Sequence, residues 1–231
     1  ALTETLKDHQ IIALTRQDCD LTNLDQIKRV IDRHQPDLII NPAAFTNVDQ
    51  AEDQKDLAFR VNRDAPEVMA QKAREYNIPF VHFSTDYVFD GKKKGAYVES
   101  DQTNPLGVYG ASKLAGEEAI KDLGGRYFIF RTSWVYSKIG RNFYLTIKRL
   151  CLEKDELSVV ADQVGAPTSS DFIAKQMQNI IPKLNFTAPG IYHLVPNGRC
   201  SWYEFAKEVI LEAKLEFDIT KLLPIKTEDY P

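Results

Sequence analysis

The sequence is poor in cysteine, has no excess of positive charge and contains no hydrophobic run long enough to span a bilayer. Its three cysteines, Cys19, Cys151 and Cys200, are far apart and form no C-x-x-C pair, a pattern that indicates a reducing compartment, the cytoplasm. The net charge of −4 gives no global positive field for a polyanion, which argues against nucleic-acid binding. The uncharged run at residues 38–48 is far shorter than the roughly 20 residues of a membrane-spanning helix.

A glycine-rich loop is also absent from the beginning of the chain. No G-x-x-G or G-x-G-x-x-G pattern precedes Asp20, although a doubly wound nucleotide-binding sheet holds a pyrophosphate with such a loop after its first strand. The sequence begins without Met, in a segment with a helical pattern, and ends at Asp229-Tyr230-Pro231. We therefore expect the N-terminal strand with its loop, and the C-terminal end, to be missing, as in a fragment of a longer protein.

Short apolar runs alternate with helical patterns along the rest of the chain. The predicted strands are residues 11–14, 38–40, 79–83, 127–131, 157–160 and 191–195. The predicted helices are residues 23–34, 54–76 with a kink or restart at Pro66, 109–123, 143–152, 170–184 and 202–215. Because continuously apolar strands that alternate with helices form parallel sheets covered on both faces, the predicted fold class is α/β with a doubly wound parallel sheet.

The strongest local signal for chemistry is the pair Tyr109 and Lys113, four residues apart at the start of a predicted helix. That spacing places both side chains on one helix face. A free tyrosine has a pKa of about 10, and a neighbouring ammonium and a helix N-terminus both favour the phenolate. We therefore expect a lowered pKa for Tyr109 and proton exchange with a carbonyl or hydroxyl group. Without further context, a solvated helix pair explains the same spacing.

Polar and small residues follow three of the predicted strands, where ligands bind in this architecture. Ser84, Thr85 and Asp86 come directly after residues 79–83, and a hydroxyl there can bond a substrate oxygen, although turn chemistry is an equal explanation. The segment 41–44 follows residues 38–40, and its small side chains let a flat ligand approach the backbone. Asp20 could contact an adenine amino group or cap the helix that begins near Asn23.

Five sequence blocks in a fixed order carry a resemblance to a known family. They are residues 41–52 (NPAAFTNVD and AE), 84–89 (STDYVF), 105–117 (with VYG and KLAGE), 131–136 (RTSWVY) and 162–168 (DQVGAPT). Together they resemble the extended short-chain dehydrogenase/reductases and, within these, the dTDP-4-dehydrorhamnose reductase family. The resemblance implies a Rossmann-like domain at residues 1–140, with returning segments at about 157–195. It also implies a small C-terminal lobe, residues 141–231, that is mainly substrate-binding.

The resemblance implies an oxidoreductase that reduces the C4 keto group of dTDP-4-dehydro-β-L-rhamnose with NADPH or NADH, in the synthesis of dTDP-L-rhamnose for cell-surface polysaccharide. Tyr109 would donate the proton, Lys113 would hold the nicotinamide ribose, and Thr85 would orient the carbonyl. Further residues implied to contact the cofactor are Asp20, Leu21, Ala44, Phe45 and Thr46. The residues implied to contact the substrate are Thr85, Asp86, Trp134 and Gln163. Trp134 would offer a flat apolar wall for the pyranose.

A metal and an oligomer are further features of the resembled family. Some members form homodimers through a metal, such as Mg²⁺, held by acidic side chains. Asp171 stands at the matching position, where Glu is usual, and we expect the other acids to fall in the missing ends of the chain. The four histidines show no ligand spacing either. We therefore predict no metal site.

Two alternatives share these motifs. A sugar-nucleotide epimerase or dehydratase would use the same Tyr109 and Lys113, but a dehydratase needs two acids after the threonine, and Thr85 is followed by Asp86 and Tyr87. A non-catalytic subunit similar to the regulatory subunit of methionine adenosyltransferase would keep the fold without the reaction. The complete Thr-Tyr-Lys set, with Trp134, favours the enzyme. The preference for NADPH over NADH is left open, with Arg16 as the only nearby candidate to read the ribose.

Overall fold

The computed structural model describes residues 1–230 and confirms an α/β fold with a parallel sheet. The helices are α1 (Leu2–Thr5), α2 (Leu24–His34), α3 (Val48–Asp53), α4 (Lys55–Phe59), α5 (Ala65–Glu75), α6 (Val108–Leu123), α7 (Phe143–Glu153), α8 (Ser170–Ile180) and α9 (Trp202–Glu212). The strands are β1 (Ile39–Asn41), β2 (Phe80–Thr85), β3 (Tyr127–Thr132), β4 (Val135–Tyr136), β5 (Leu157–Val160), β6 (Val164–Gly165), β7 (Thr168–Ser169), β8 (Gly190–His193), β9 (Cys200–Ser201) and β10 (Leu222–Ile225).

The chain divides into two compact units. The first, here called the sheet unit, comprises residues 7–132 and 179–194. It contains the parallel sheet with strand order β1-β2-β3-β8. The second unit comprises residues 1–6, 133–178 and 195–230 and contains three two-stranded pairings, β5 with β10, β4 with β7 and β6 with β9.

The sheet unit is held together by apolar side chains from α2, α5 and the strands. Ile27 and Ile31 of α2 are buried, as the helical periodicity predicts, and Asn23 caps that helix by accepting a hydrogen bond from the Gln26 amide. Phe80 and Ile129, on β2 and β3, belong to the same buried cluster. The second unit has its own cluster, built from α7, α9, β5 and β10.

One predicted strand was wrong, and of the two alternatives predicted at Pro66 the structure has the new helical segment. Residues 11–14 form no strand, and Ile11, Ile12 and Leu14 are exposed. A strand needs a hydrogen-bonding neighbour, and within the described chain this segment pairs with none of the sheet strands. Residues 54–76 form no single α-helix, because a π-helical turn at Arg60–Asp64 separates α4 from α5. The predicted restart at Pro66 is confirmed, because α5 begins at Ala65 and Pro66 lies in its first turn, where a missing amide is tolerated.

None of the helices within residues 1–230 combines the length and the apolar character that crossing a membrane requires.

Candidate functional site

Helix α6 begins in close contact with the turn that follows strand β2. Any Cβ on Gly110 would overlap the Tyr87 carbonyl oxygen and would lie 3.0 Å from Pro105 Cβ, so only glycine permits this approach. The approach brings the Tyr109 ring against that of Tyr87, edge to face, with centroids 5.4 Å apart. The glycine of the Tyr109-Gly110 pair therefore positions the tyrosine at the carboxyl end of β2.

Thr85 ends β2 and organises the turn beside Tyr109. Its side chain is buried, donates a hydrogen bond to Asp86 Oδ1 at 3.1 Å and accepts one from the Tyr87 amide at 3.2 Å. The hydroxyl thus caps the short 3₁₀ turn Asp86–Val88. The turn chemistry predicted for Thr85 is confirmed, and its role toward a substrate stays a prediction.

The pKa of Tyr109 is raised to about 12, which contradicts the expectation from its spacing to Lys113. Burial is the main cause, and the charge of Asp86 acts in the same direction, while the Thr85 hydroxyl lowers the value. Burial of the phenol raises this pKa by more than the position at the helix N-terminus lowers it. Tyr109 is therefore fully protonated at neutral pH, which is the form that a proton donor needs.

Lys113 lies one turn further along α6 and is almost completely enclosed, with 1% of its surface exposed. Its Nζ atom donates to the Phe83 carbonyl at 2.7 Å and lies 3.0 Å from His82 Nε2. Burial lowers the pKa of Lys113 to about 8, against the opposing charge of Glu117. The Lys113 amine therefore titrates close to physiological pH.

Asp86 also has a displaced pKa. Burial raises its value to about 6, although the Thr85 hydroxyl and two backbone amides favour the carboxylate. A carboxyl group in this range changes charge within the working range of many enzymes. Thr85, Asp86, Tyr109 and Lys113 thus form one cluster at the carboxyl end of β2, as the sequence predicts for this edge of the sheet.

Glu52 caps the N-terminus of helix α6 from another segment of the chain, a contact that the sequence did not indicate. Its Oε1 atom accepts a hydrogen bond of 2.8 Å from the Val108 amide, in the first turn of α6. Gly107, the residue before the helix, has no side chain to make that cap, and a Cβ there would lie 2.8 Å from the same oxygen. A carboxylate at a helix N-terminus also interacts favourably with the helix dipole. The 56 residues that separate the partners hide this contact from local sequence patterns.

Asn62 connects the predicted cofactor segment to helix α6. Its amide bonds both backbone groups of Phe45, with Phe45 N to Oδ1 at 2.8 Å and Nδ2 to Phe45 O at 3.1 Å. The same Nδ2 bonds Ser112 Oγ at 3.0 Å, and that hydroxyl donates to the Tyr109 carbonyl. Asn62 lies in the π-helical turn and is fully buried. The segment that contains Ala44, Phe45 and Thr46 is thereby fixed relative to the Tyr109 helix.

Asp20 forms a local turn, and the alternative role as a helix cap is wrong. Its Oδ1 accepts hydrogen bonds from the amide and the hydroxyl of Thr22, each at 2.9 Å, and these bonds lower its pKa. The cap of α2 is Asn23 instead. Asp20 and the half-buried Leu21 belong to the sheet unit but make no hydrogen bond with the Tyr109 cluster in the described chain.

Trp134 and Gln163 lie in the second unit and are joined by Trp202. The Trp202 indole stacks on Trp134, and its Nε1 donates to Gln163 Oε1 at 3.2 Å. Trp134 has a positive φ of 46°, a conformation that few non-glycine residues adopt. The sequence did not predict a role for Trp202, because nothing local relates it to Trp134.

No group of three or more His, Cys, Asp or Glu side chains within residues 1–230 is arranged to hold a metal ion. Asp171 is exposed, and its carboxylate lies 3.8 Å from Lys138 Nζ.

A parallel sheet with a threonine at a strand end and a Tyr-x-x-x-Lys helix beside it is the arrangement of the short-chain dehydrogenase/reductases. The model of the family described as the RmlD substrate binding domain matches residues 1–231. The chain belongs to this family. The resemblance drawn from the five sequence blocks is thereby confirmed.

Known proteins agree with this assignment over most of the chain. A dTDP-4-dehydrorhamnose reductase from Burkholderia thailandensis is 38% identical over 96% of this chain and 78% of its own length. One from Aggregatibacter actinomycetemcomitans is 41% identical with the same coverage. The crystal structure of dTDP-4-dehydrorhamnose reductase from Bacillus anthracis, in complex with NADP, has a TM-score of 0.92 at 39% identity. This similarity covers 99% of this chain and 80% of that one.

Proposed function

We propose that the chain is an NADPH-dependent reductase that converts the C4 keto group of dTDP-4-dehydro-β-L-rhamnose to the hydroxyl of dTDP-L-rhamnose. The observation that carries this proposal is the close approach at Gly110, which sets a protonated Tyr109 beside Thr85 at the carboxyl end of β2. Relatives with this name are about 40% identical over nearly the whole chain. The pathway would supply rhamnose for cell-surface polysaccharide.

Two side chains have hydrogen-bonding groups that fit the cofactor, Lys113 at the ribose and Asp20 at the adenine. Lys113 Nζ has only two hydrogen-bonding contacts in the described chain, so one of its N–H groups is free to bond a ribose hydroxyl. Asp20 uses Oδ1 for its own turn and leaves Oδ2 for an adenine amino group. Ala44, Phe45 and Thr46 would lie along the cofactor. NADPH is favoured over NADH because the similar protein from B. anthracis is bound to NADP.

When bound, NADPH supplies the hydride that reduces carbon C4. The chain supplies the proton that balances it, from the Tyr109 hydroxyl to the C4 oxygen. Thr85, whose hydroxyl lies in the same turn, would turn its O–H from Asp86 Oδ1 to that oxygen and fix its direction. A cationic Lys113 would stabilise the phenolate that remains on Tyr109 after transfer. Desolvation of the pocket, which raises the pKa of Tyr109, keeps the proton in place until the carbonyl oxygen becomes basic.

We assign the cofactor to the sheet unit, which contains Thr85, Tyr109 and Lys113. Asp86, in the turn after β2, would contact the sugar. Trp134 would also contact the deoxysugar, and Gln163 would contact the sugar nucleotide. This assignment follows the roles that the family resemblance implies for these positions.

We also propose a cytoplasmic location and a homodimer. The location is supported by three free cysteines, of which Cys19 and Cys151 are buried. The homodimer rests on the family resemblance alone, and light scattering on the purified protein tests it directly.

The test is the loss of NADPH absorbance on addition of dTDP-4-dehydro-L-rhamnose, with Tyr109→Phe beside the wild type. Removal of the proton donor should reduce kcat by about 10²- to 10⁴-fold while cofactor binding, followed by fluorescence, is retained. Wild-type protein that binds NADPH but consumes none of it with this substrate would overturn the proposal. That result would leave the epimerase and the regulatory subunit to be tested.

A further inference from the structure

Three buried side chains form a continuous row from strand β1 to helix α6. Asn41 and His82 are register partners on the neighbouring parallel strands β1 and β2. Asn41 Nδ2 lies 3.2 Å from His82 Nδ1, and His82 Nε2 lies 3.0 Å from Lys113 Nζ. The exposed fractions are 3%, 0% and 1%, so water does not compete for these contacts.

The orientation of the Asn41 amide is fixed by the backbone. Its Oδ1 accepts a hydrogen bond of 3.1 Å from the Ala43 amide. The amide nitrogen must therefore face His82, and an amide nitrogen can only donate. His82 Nδ1 consequently accepts this bond and carries no proton.

The state of His82 then determines that of Lys113. Burial, together with the neighbouring Lys113, lowers the pKa of His82 well below its usual value, so the ring is neutral and has one proton. With Nδ1 unprotonated, that proton lies on Nε2 and points at Lys113 Nζ. An ammonium group has no lone pair to accept it, so this arrangement requires the uncharged amine of Lys113. That amine still donates to the Phe83 carbonyl.

A cationic Lys113 requires the opposite arrangement. His82 Nε2 would have to accept, its proton would move to Nδ1, and the Asn41 amide would have to turn so that Oδ1 accepts from it. The Ala43 amide would then lose its acceptor. Ala43 immediately precedes the segment Ala44 to Thr46, which we assign to the cofactor.

We propose that Asn41 and His82 form a buried relay that couples the charge of Lys113 to the hydrogen bond of the Ala43 amide. Asn41 and His82 are positioning residues, since they act through Lys113. The role of the relay in catalysis rests on the proposed function. Loss of the hydrogen bond between the Ala43 amide and Asn41 would favour the cationic form of Lys113. That cation would in turn favour proton release from Tyr109. The ionisable groups that act on the relay are Glu117, which raises the pKa of Lys113, and Lys113 itself acting on His82.

The first test needs neither substrate nor activity. Nitrogen-15 NMR of the histidine side chains distinguishes a protonated from an unprotonated ring nitrogen, and a His82→Gln variant assigns the signals of His82. The relay predicts a proton on Nε2 and none on Nδ1 above about pH 8, where Lys113 is uncharged, and a proton on Nδ1 below that pH, where Lys113 is cationic, with the lysine Cε signal titrating near pH 8. A neutral His82 with its proton on Nδ1 at pH 9, where the amine is uncharged, would overturn the relay.

The second test uses the substitution Asn41→Asp, which should reverse the direction of the hydrogen bonds in the relay. The matched control for the added charge is Asn47→Asp, because Asn47 is an exposed helix cap. A carboxylate only accepts, so the His82 proton should move to Nδ1 and the proton affinity of Lys113 should increase about tenfold or more. Asn47→Asp should change neither signal. An unchanged tautomer in a folded Asn41→Asp protein would overturn the relay. Because both readouts are independent of turnover, failure of the relay and failure of the reductase assay are distinguishable.

Discussion

Trp134 and Trp202 stack face to face, with ring centroids 3.4 Å apart and an interplanar angle of 10°. Gly165 also lies against Trp134, so close that any Cβ there would overlap the indole. Trp202 covers one face of the Trp134 ring, so the flat apolar wall that Trp134 is predicted to offer a sugar has one face available. The stacked pair is itself part of the packing of the second unit.

Gly165→Ala tests the closeness of this packing. The added methyl must displace the Trp134 ring, and overpacking of this kind costs about 1–3 kcal/mol. The matched control is Gly190→Ala, whose Cβ would meet only the Tyr192 ring at 3.8–4.0 Å, an ordinary contact. Urea unfolding should show a lower midpoint for Gly165→Ala alone, and near-ultraviolet circular dichroism should show an altered tryptophan signal. Equal midpoints for both variants would contradict the close contact.

The sequence predicted most elements of the sheet unit because its strands and helices have clear apolar patterns. Ile27 and Ile31 were placed on the buried face of α2 by their spacing alone. The predicted strand at residues 11–14 was wrong because β-propensity cannot supply a pairing partner. In the same way, local pattern placed Thr85 and Asp86 at the carboxyl end of a strand, where ligands bind in this architecture. The pattern placed Tyr109 only at the start of a helix.

The sequence could not predict the electrostatics of the site. The spacing of Tyr109 and Lys113 suggested a lowered tyrosine pKa, but burial raises it. Contacts between distant segments, such as Glu52 with Val108 and Asn62 with Phe45, were also hidden. Each of these contacts depends on how distant helices and strands pack together. The periodicity of residues within one segment carries no information about that packing.

A buried ion pair lies behind the site and should be sensitive to the loss of one partner. Arg131 Nη2 and Glu117 Oε2 are 2.6 Å apart, with side chains 5% and 1% exposed, and Ser84 donates to the same carboxylate. Glu117→Gln leaves the guanidinium charge uncompensated, at a cost of about 3–5 kcal/mol in the free energy of unfolding. The double variant Glu117→Leu with Arg131→Met removes both charges and should be less destabilised. Urea unfolding of the three proteins measures this, and a double variant that is weaker than Glu117→Gln would refute it.

Asp86→Asn should remove a pH dependence of stability. The folded-state pKa of Asp86 is about 6, above its ordinary 3.8, so the folded protein prefers the neutral acid. The stabilisation is complete below pH 3.8 and is lost as the pH rises through 6. The amide variant stays neutral, so at pH 8 it should exceed the wild type by up to about 3 kcal/mol. Urea midpoints at pH 4 and pH 8 measure the difference, with Asp8→Asn, at an exposed position, as the control. If the difference in urea midpoint between Asp86→Asn and the wild type did not increase from pH 4 to pH 8, the raised pKa of Asp86 would be contradicted.

Lys113→Met should show a pH dependence in a higher range. The folded-state pKa of Lys113 is about 8, below its ordinary 10.5, because burial penalises the ammonium. Above pH 10.5 both folded and unfolded chains are uncharged at this site and no penalty exists. As the pH falls from 10.5 to 8, only the unfolded chain takes up the proton, so the stability of the wild type decreases by about 3 kcal/mol.

Methionine carries no charge, so the stability of Lys113→Met relative to the wild type should improve over that interval. The variant also loses the bonds to Phe83 and His82, which lowers its stability equally at every pH and leaves the slope unaffected. Urea unfolding between pH 7.5 and 10.5 (roughly the span of the two pKa values) gives the slope. The control is Lys121→Met, at an exposed position on the same helix, which should run parallel to the wild type. If Lys113→Met also ran parallel, Lys113 would not be the buried, partly neutral amine on which the relay depends.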